Sequence, residues 1–140
     1  MISPGEFYLM DVADLPFDLF RGGNASGFQF HEDRAMKDCY TYMKDGVIYV
    51  GANLTGFSCF DHITDRMKRQ GKNVWKLKRG ALLPVDLKLV RDERRGHEGH
   101  YMLAPAKDMP IRKYIGLLEE LERDPSKCTK LTPQEIRNGW

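Results

Sequence analysis

The 140-residue chain is long enough for one ordinary domain, with roughly two thirds of its unfolded surface buried on folding, and residues 1–140 are read as a single domain. Charged residues at 30% and apolar residues at 41% match soluble globular proteins and argue against disordered and membrane classes. The net charge of +2 excludes a strongly cationic chain, although residues 66–95 carry a basic run of Arg66, Lys68, Arg69, Lys72, Lys76, Lys78, Arg79, Lys88, Arg91, Arg94 and Arg95.

Residues 17–20 are mostly apolar and run into Arg21, Gly22 and Gly23, where the backbone is freed to turn, so a strand ending in Arg21 is predicted. Residues 24–43 mix glycine, polar and aromatic residues, with only a weak helical pattern at 32–40. Asp45-Gly46 is a turn signal, and Val47, Ile48, Tyr49 and Val50 predict a short buried strand closed by Gly51. Phe60, Ile63 and Met67 recur at intervals of three and four, which predicts a helix ending near Gly71 with Ser58 at or near its N-terminus.

Val74, Trp75 and Leu77 predict a further strand. Val85, Leu87 and Leu89 alternate with Asp86 and Lys88, the pattern of a half-exposed strand at 84–91. The polar stretch 92–99 then makes a long-looped hairpin with a strand at 100–103, ended by Pro105. After Pro110, the stripe Ile111, Tyr114, Ile115, Leu118 and Leu121 predicts an amphipathic helix stopping near Asp124-Pro125. In the tail, 126–140, Thr132-Pro133 signals one short helical turn.

Cys39, Cys59 and Cys128 have neither metal-ligand spacing nor an even count for a disulfide framework, which fits a reducing compartment. No apolar stretch approaches the ~20 residues of a membrane span, and residues 1–10 lack the pattern of a signal peptide. A chain acting in a cytoplasm is expected. The basic run reads either as a solvated face or as a phosphate-attracting surface.

Ser58 is not framed by the Gly-x-Ser-x-Gly turn of a hydrolase, which argues against serine-based hydrolysis. His97 and His100 with Cys59 or Cys128 form no paired ligand set, so no metal is expected. Gly22-Gly23 is not followed by a phosphate-loop lysine, and no Gly-x-Gly-x-x-Gly opens a helix, so a different nucleotide fold is required.

What remains is an arginine closing an early strand, a serine after the Gly56-Phe57 turn, and a late strand with a polar residue. In that order, Leu19-Phe20-Arg21-Gly22, then Tyr49 through Gly56-Phe57-Ser58-Cys59-Phe60-Asp61, then His100-Tyr101-Met102-Leu103-Ala104-Pro105-Ala106-Lys107 resembles the Tse-two-like toxins, type VI secretion effectors with an ADP-ribosyltransferase-like fold. The likeness runs from about Phe17 to Arg123. It implies an α+β class, with two small, roughly perpendicular β-sheets around an NAD cleft and flanking helices. It also implies a toxin that uses NAD as a glycosyltransferase, acts in the cytoplasm of a target cell without inserting into membranes, and is countered by an immunity protein. The acceptor, protein or nucleic acid, stays unidentified.

On this resemblance Arg21, with Gly22 beside it, grips the NAD pyrophosphate through paired charge-assisted hydrogen bonds; on residue type alone it reads as a surface ion pair at a strand end. Ser58 orients the ribose, or caps a helix. Tyr49, Phe57 and Phe60 wall an aromatic ring, or belong to the core. Cys59 and Tyr101 line the pocket. His100 and Tyr101 stand where many such transferases carry a ribose-engaging glutamate; Glu98 is the nearest carboxylate, in a polar turn. A neutral imidazole can accept a hydroxyl proton near pH 7, which assigns His100 to the ribose, with a structural histidine as the competing reading.

Two functions follow. One is an NAD-dependent toxin that transfers ADP-ribose or hydrolyses NAD. The other, suggested by the missing glutamate and the basic hairpin, is a non-catalytic nucleotide- or nucleic-acid-binding module on the same fold. A plain interaction surface is the third.

Overall fold

Short β-prone runs punctuated by Gly, Asp and Pro dominate the chain, and the computed structural model turns them into strands. It describes residues 6–28 and 30–139; residues 1–5, Gln29 and Trp140, which belong to the readings of 1–10, 24–43 and 126–140, lie outside the described residues. In chain order the elements are β1 (Phe7–Met10), β2 (Leu19–Gly22), α1 (Glu32–Asp38), β3 (Thr41–Lys44), β4 (Val47–Val50), β5 (Phe57–Phe60), α2 (Asp65–Gln70), β6 (Val74–Leu77), β7 (Leu87–Asp92), β8 (His100–Pro105), β9 (Met109–Pro110), α3 (Ile111–Arg123), β10 (Cys128–Lys130) and α4 (Pro133–Asn138).

The class is α+β, with two antiparallel sheets as expected. The sheets are unequal rather than both small: seven strands in the order β1-β7-β8-β5-β2-β6-β10, and three in the order β3-β4-β9. Side chains alternate along a strand, and residues opposite each other on antiparallel neighbours share a face. One face of the large sheet therefore presents Leu19, Phe57, Cys59, Leu77, Leu89 and Leu103 to the main core, which is closed by Ala35 of α1 and by Tyr114, Leu118 and Leu121 of α3. The other face carries Phe20, packed with Met67 of α2 and Ile136 of α4, and further along it Phe7, Val90 and Met102.

Ser58 does not lie at a helix N-terminus. It is the second residue of β5, and α2 starts later, at Asp65, where the Thr64 hydroxyl accepts from Met67 N at 3.2 Å. Phe60, Ile63 and Met67 do converge on one apolar cluster, but from a strand, a loop and a helix, so their spacing imitates a helical face without forming one. The strand expected at 84–91 begins only at Leu87: residues 84–87 turn, Val85 is 90% exposed, and both faces of β7 carry buried residues. Pro105 lies inside the β7–β8 pairing, opposite Leu87, rather than beyond it. The weak pattern at 32–40 is realised as α1. The α3 stripe and the α4 start, with its Thr132–Glu135 capping box, form where the sequence places them. Among the described residues no helix is long and apolar enough to cross a membrane.

Candidate functional site

Strand β5 is paired along its whole length with β8, from Phe57 opposite Leu103 to Phe60 opposite His100. Toward β2 it pairs only at Phe20–Phe60, because β2 stays with β6 through Gly22 while β5 stays with β8. The seam between β2 and β5 opens there. Above it lies a cleft of about 740 Å³, floored by Arg21, Gly22, Ser58 and Phe60, with α1 supplying Arg34 and Lys37 on one wall and α2 supplying Arg66 and Gln70 on the other. The volume is that of a small-molecule site, roughly 300–1,000 Å³.

Arg21 spans the open seam. Its Nη1 donates to the Ser58 carbonyl at 2.6 Å, and its Cζ lies 3.9 Å from the centre of the Phe57 ring. The residue is 9% exposed, and its Nε has no hydrogen-bond partner. A buried N–H without an acceptor is costly, so the guanidinium keeps unmet hydrogen-bonding capacity at a residue that lines the cleft. Burial pushes the guanidinium down to about 10, with Asp38 acting in the opposite direction, so it remains charged at neutral pH. Gly22 and Gly23 continue past it. At Gly23 a side chain would meet the Gly27 carbonyl at 2.1 Å, so this glycine serves the tight turn of its own loop.

On the opposite face of the sheet from the Arg21–Phe57 stack, Ser58 Oγ lies 2.8 Å from His100 Nε2, and His100 Nδ1 lies 2.7 Å from Asp92 Oδ2. Asp92 stands on β7 one step beyond the Arg91–Tyr101 pair, which brings it beside His100 across the hairpin. Arg94 fixes it: Nε donates to Oδ1 at 2.9 Å, Nη2 to Oδ2 at 2.7 Å, and the Arg94 backbone N–H to Oδ1 at 3.0 Å. Burial alone would push the Asp92 carboxyl up, but the hydrogen bonds from Arg94 and His100 outweigh it and hold the group well below the usual carboxylate range. The Phe60 ring covers His100, with centroids 5.2 Å apart.

The structure thus joins Arg21, Gly22, Ser58 and Phe60 at one cleft and attaches His100 to it through Ser58. Phe57 is fully buried and supports the guanidinium from below. Tyr49 and Tyr101 do not reach the cleft. Tyr49 sits in the three-stranded sheet, stacked on Tyr42 with centroids 5.7 Å apart. Tyr101 pairs with Cys59 on the core face and packs on Phe17. Cys59 is wholly buried, and burial pushes its thiol up to about 12. Glu98 stays in the turn, accepting from Gly96 N at 3.3 Å.

Local sequence pattern does not single out Asp92 as a site residue. What signal there is lies in the predicted hairpin, whose 92–99 loop sets a carboxylate and His100 at its two ends. Asp92, His97 and His100 lie within 4.8 Å of one another, but Arg94 contacts both Asp92 oxygens and already supplies the charge that a cation would bring. The basic run is similarly divided, with Arg91 bound to Glu93 and Arg94 to Asp92.

A family model described as the Tse2 ADP-ribosyltransferase toxin matches residues 25–127, a stretch that holds Ser58, Asp92 and His100 and begins just after Arg21. No curated protein and no solved structure matches the chain.

Proposed function

The chain belongs to the Tse2 ADP-ribosyltransferase toxin family, and on that premise we propose that it binds NAD in the cleft over the open β2–β5 seam and breaks the bond between nicotinamide and ribose. The observation that carries this reading is the relay from Asp92 through His100 to Ser58, opening on a cleft whose buried Arg21 has an unpartnered Nε. Arg21, with Gly22 allowing close approach, holds the pyrophosphate. Arg34, Lys37 and Arg66 add the positive field that draws in a dinucleotide. Phe60 lines the cleft beside Ser58 as an aromatic surface for a ring of the ligand.

Losing nicotinamide leaves positive charge on the ribose, which a fixed negative group stabilises. A glutamate on the late strand commonly supplies it. Here the charge stands one residue further back: His100 takes the late-strand position, and Asp92 behind it provides the carboxylate. The ADP-ribose then passes to an acceptor or to water. As a delivered effector of the type VI kind, the protein would act in the cytoplasm of a target cell and require an immunity protein that occludes the cleft in the producer.

Nicotinamide release from NAD by the purified chain, set beside Arg21→Ala, tests substrate and site together. Release by the wild type and its loss in the variant are expected. Tight NAD binding with no nicotinamide released would instead leave a non-catalytic nucleotide-binding module.

A further inference from the structure

The Ser58 hydroxyl is held more elaborately than orienting a ribose requires. A carboxylate only accepts hydrogen bonds, so in the neutral His100 ring Nδ1 carries the proton toward Asp92 and Nε2 offers a lone pair to Ser58 Oγ–H at 2.8 Å. Asp92 cannot turn away, because its side chain is fully buried and Arg94 holds both of its oxygens. The hydroxyl is therefore the donor to a base whose tautomer is fixed from behind, on three adjacent strands of one sheet. That is the arrangement of an activated nucleophile.

The electrophile it suits is narrower than for a hydrolase. Acyl transfer needs a pair of donors converging on a single developing oxyanion, whereas the cleft beside Ser58 is lined by Arg34, Lys37 and Arg66, side chains suited to phosphate oxygens. Attack on the anomeric carbon of a sugar bearing a cationic leaving group needs no such pair, since the reaction neutralises positive charge at the reacting centre. Ser58 also lines the cationic cleft, whereas His100, 9% exposed, lies behind it.

We propose that Ser58 is itself an ADP-ribose acceptor, its Oγ displacing nicotinamide from NAD. The inference rests on the NAD reading above. A bond forms between Oγ and the anomeric carbon of the nicotinamide ribose, and the bond from that carbon to the pyridinium nitrogen breaks. Its electron pair leaves with nicotinamide, which departs neutral. The hydroxyl proton passes to His100 Nε2, giving an imidazolium beside the Asp92 carboxylate, and then to water. The product is a chain carrying one ADP-ribose, O-linked at Ser58. Asp92 and Arg94 are positioning residues in this step, acting through His100.

The experiment incubates the full chain with NAD, quenches samples in acid at successive times, and follows nicotinamide and peptide masses in parallel. One ADP-ribose, mapped to Ser58 and absent from Ser58→Ala, is expected. Asp92→Asn presents an amide in place of the carboxylate and is expected to slow labelling by roughly a hundredfold or more. Calorimetric NAD affinity should stay unchanged, since Asp92 is outside the cleft lining. Arg94→Ala, which loosens Asp92 without removing it, should slow labelling by a smaller factor. Nicotinamide release without label, or label at another residue, overturns the acceptor role and leaves NAD cleavage standing. Labelling at wild-type rate in folded Asp92→Asn and Arg94→Ala overturns the relay. An absence of nicotinamide from the wild type overturns the NAD reading along with the acceptor role.

Discussion

Strand β5 meets its two neighbours on opposite terms. Toward β8 it is paired at four consecutive residues, and Tyr114 clamps the end of that seam, its hydroxyl accepting from Phe57 N at 2.9 Å and donating to Leu103 O at 2.5 Å. Toward β2 it is paired at one position, after which a guanidinium replaces the ladder. The tight seam gives alignment, because regular pairing is what holds Ser58, His100 and Asp92 within hydrogen-bond reach. The loose seam gives access, because a sheet that stops pairing exposes polar backbone and makes room for a ligand. On the proposed function, reactive groups and substrate space come from the two edges of one four-residue strand.

The largest expected effect comes from removing the bridge across the loose seam. Arg21→Ala takes away a buried charge with a short hydrogen bond to the Ser58 carbonyl, and losses of this kind run to about 2–5 kcal/mol. NAD turnover should fall by more than about a hundredfold in kcat/KM. Arg21→Lys should not rescue it, since an ammonium neither stacks on Phe57 nor offers a fork. A lysine variant with wild-type turnover would show that charge alone suffices and that the bridge is dispensable.

The tight seam is tested by Tyr114→Phe. The change keeps the ring in the core and removes one hydroxyl, leaving the Phe57 N–H and the Leu103 carbonyl without their shared partner. Such buried losses cost about 1–3 kcal/mol, which a denaturant titration resolves and which lowers Tm by several degrees. If stability is unchanged, the clamp is not what holds the seam.

A smaller effect belongs to the acid limb of stability. The folded Asp92 carboxyl is held below its unfolded range by Arg94 and His100, against burial, so its contribution is present above the unfolded value of about 3.9 and is lost as pH falls through the folded one. Stability of the wild type should therefore drop on acidification below about pH 4, and Asp92→Asn should flatten that slope. Parallel slopes for the two proteins, measured by denaturant titration from neutral pH into acid, would refute the assignment.

Much of this architecture is legible in the sequence where one residue pattern meets one period. Ile111, Tyr114, Leu118 and Leu121 recur on a single helical stripe, and Thr132-Pro133 with Glu135 states a cap in chemical terms. Phe60, Ile63 and Met67 misled because tertiary packing gathered them from three elements into one cluster. Ser58 and His100 were readable as site residues only through the family resemblance. Their contact depends on the Phe60–His100 register, which local propensity does not encode. Asp92 escaped for the same reason, although a hairpin closing on a carboxylate and an imidazole was visible in outline. Tyr49 resembles a cleft residue because aromatic residues near the motif look alike in one dimension, and the chain carries this one into the other sheet.

Tyr49 supplies the smallest expected effect and the sharpest boundary. In β4 its ring stacks on Tyr42, with Lys44 Nζ 5.7 Å from its centre, and its neighbours are Tyr42 on β3 and Pro110 on β9. Nothing in that set lines the cleft between α1 and α2. Tyr49→Phe preserves the stack and deletes a hydroxyl on a partly exposed strand, a change of the kind worth about 0.5 kcal/mol or less. Nicotinamide release should therefore stay within about twofold of wild type. A tenfold loss in a variant of unchanged Tm would mean that the three-stranded sheet contributes to the site. The division between a tight seam that aligns and a loose seam that admits would then have to include a second sheet.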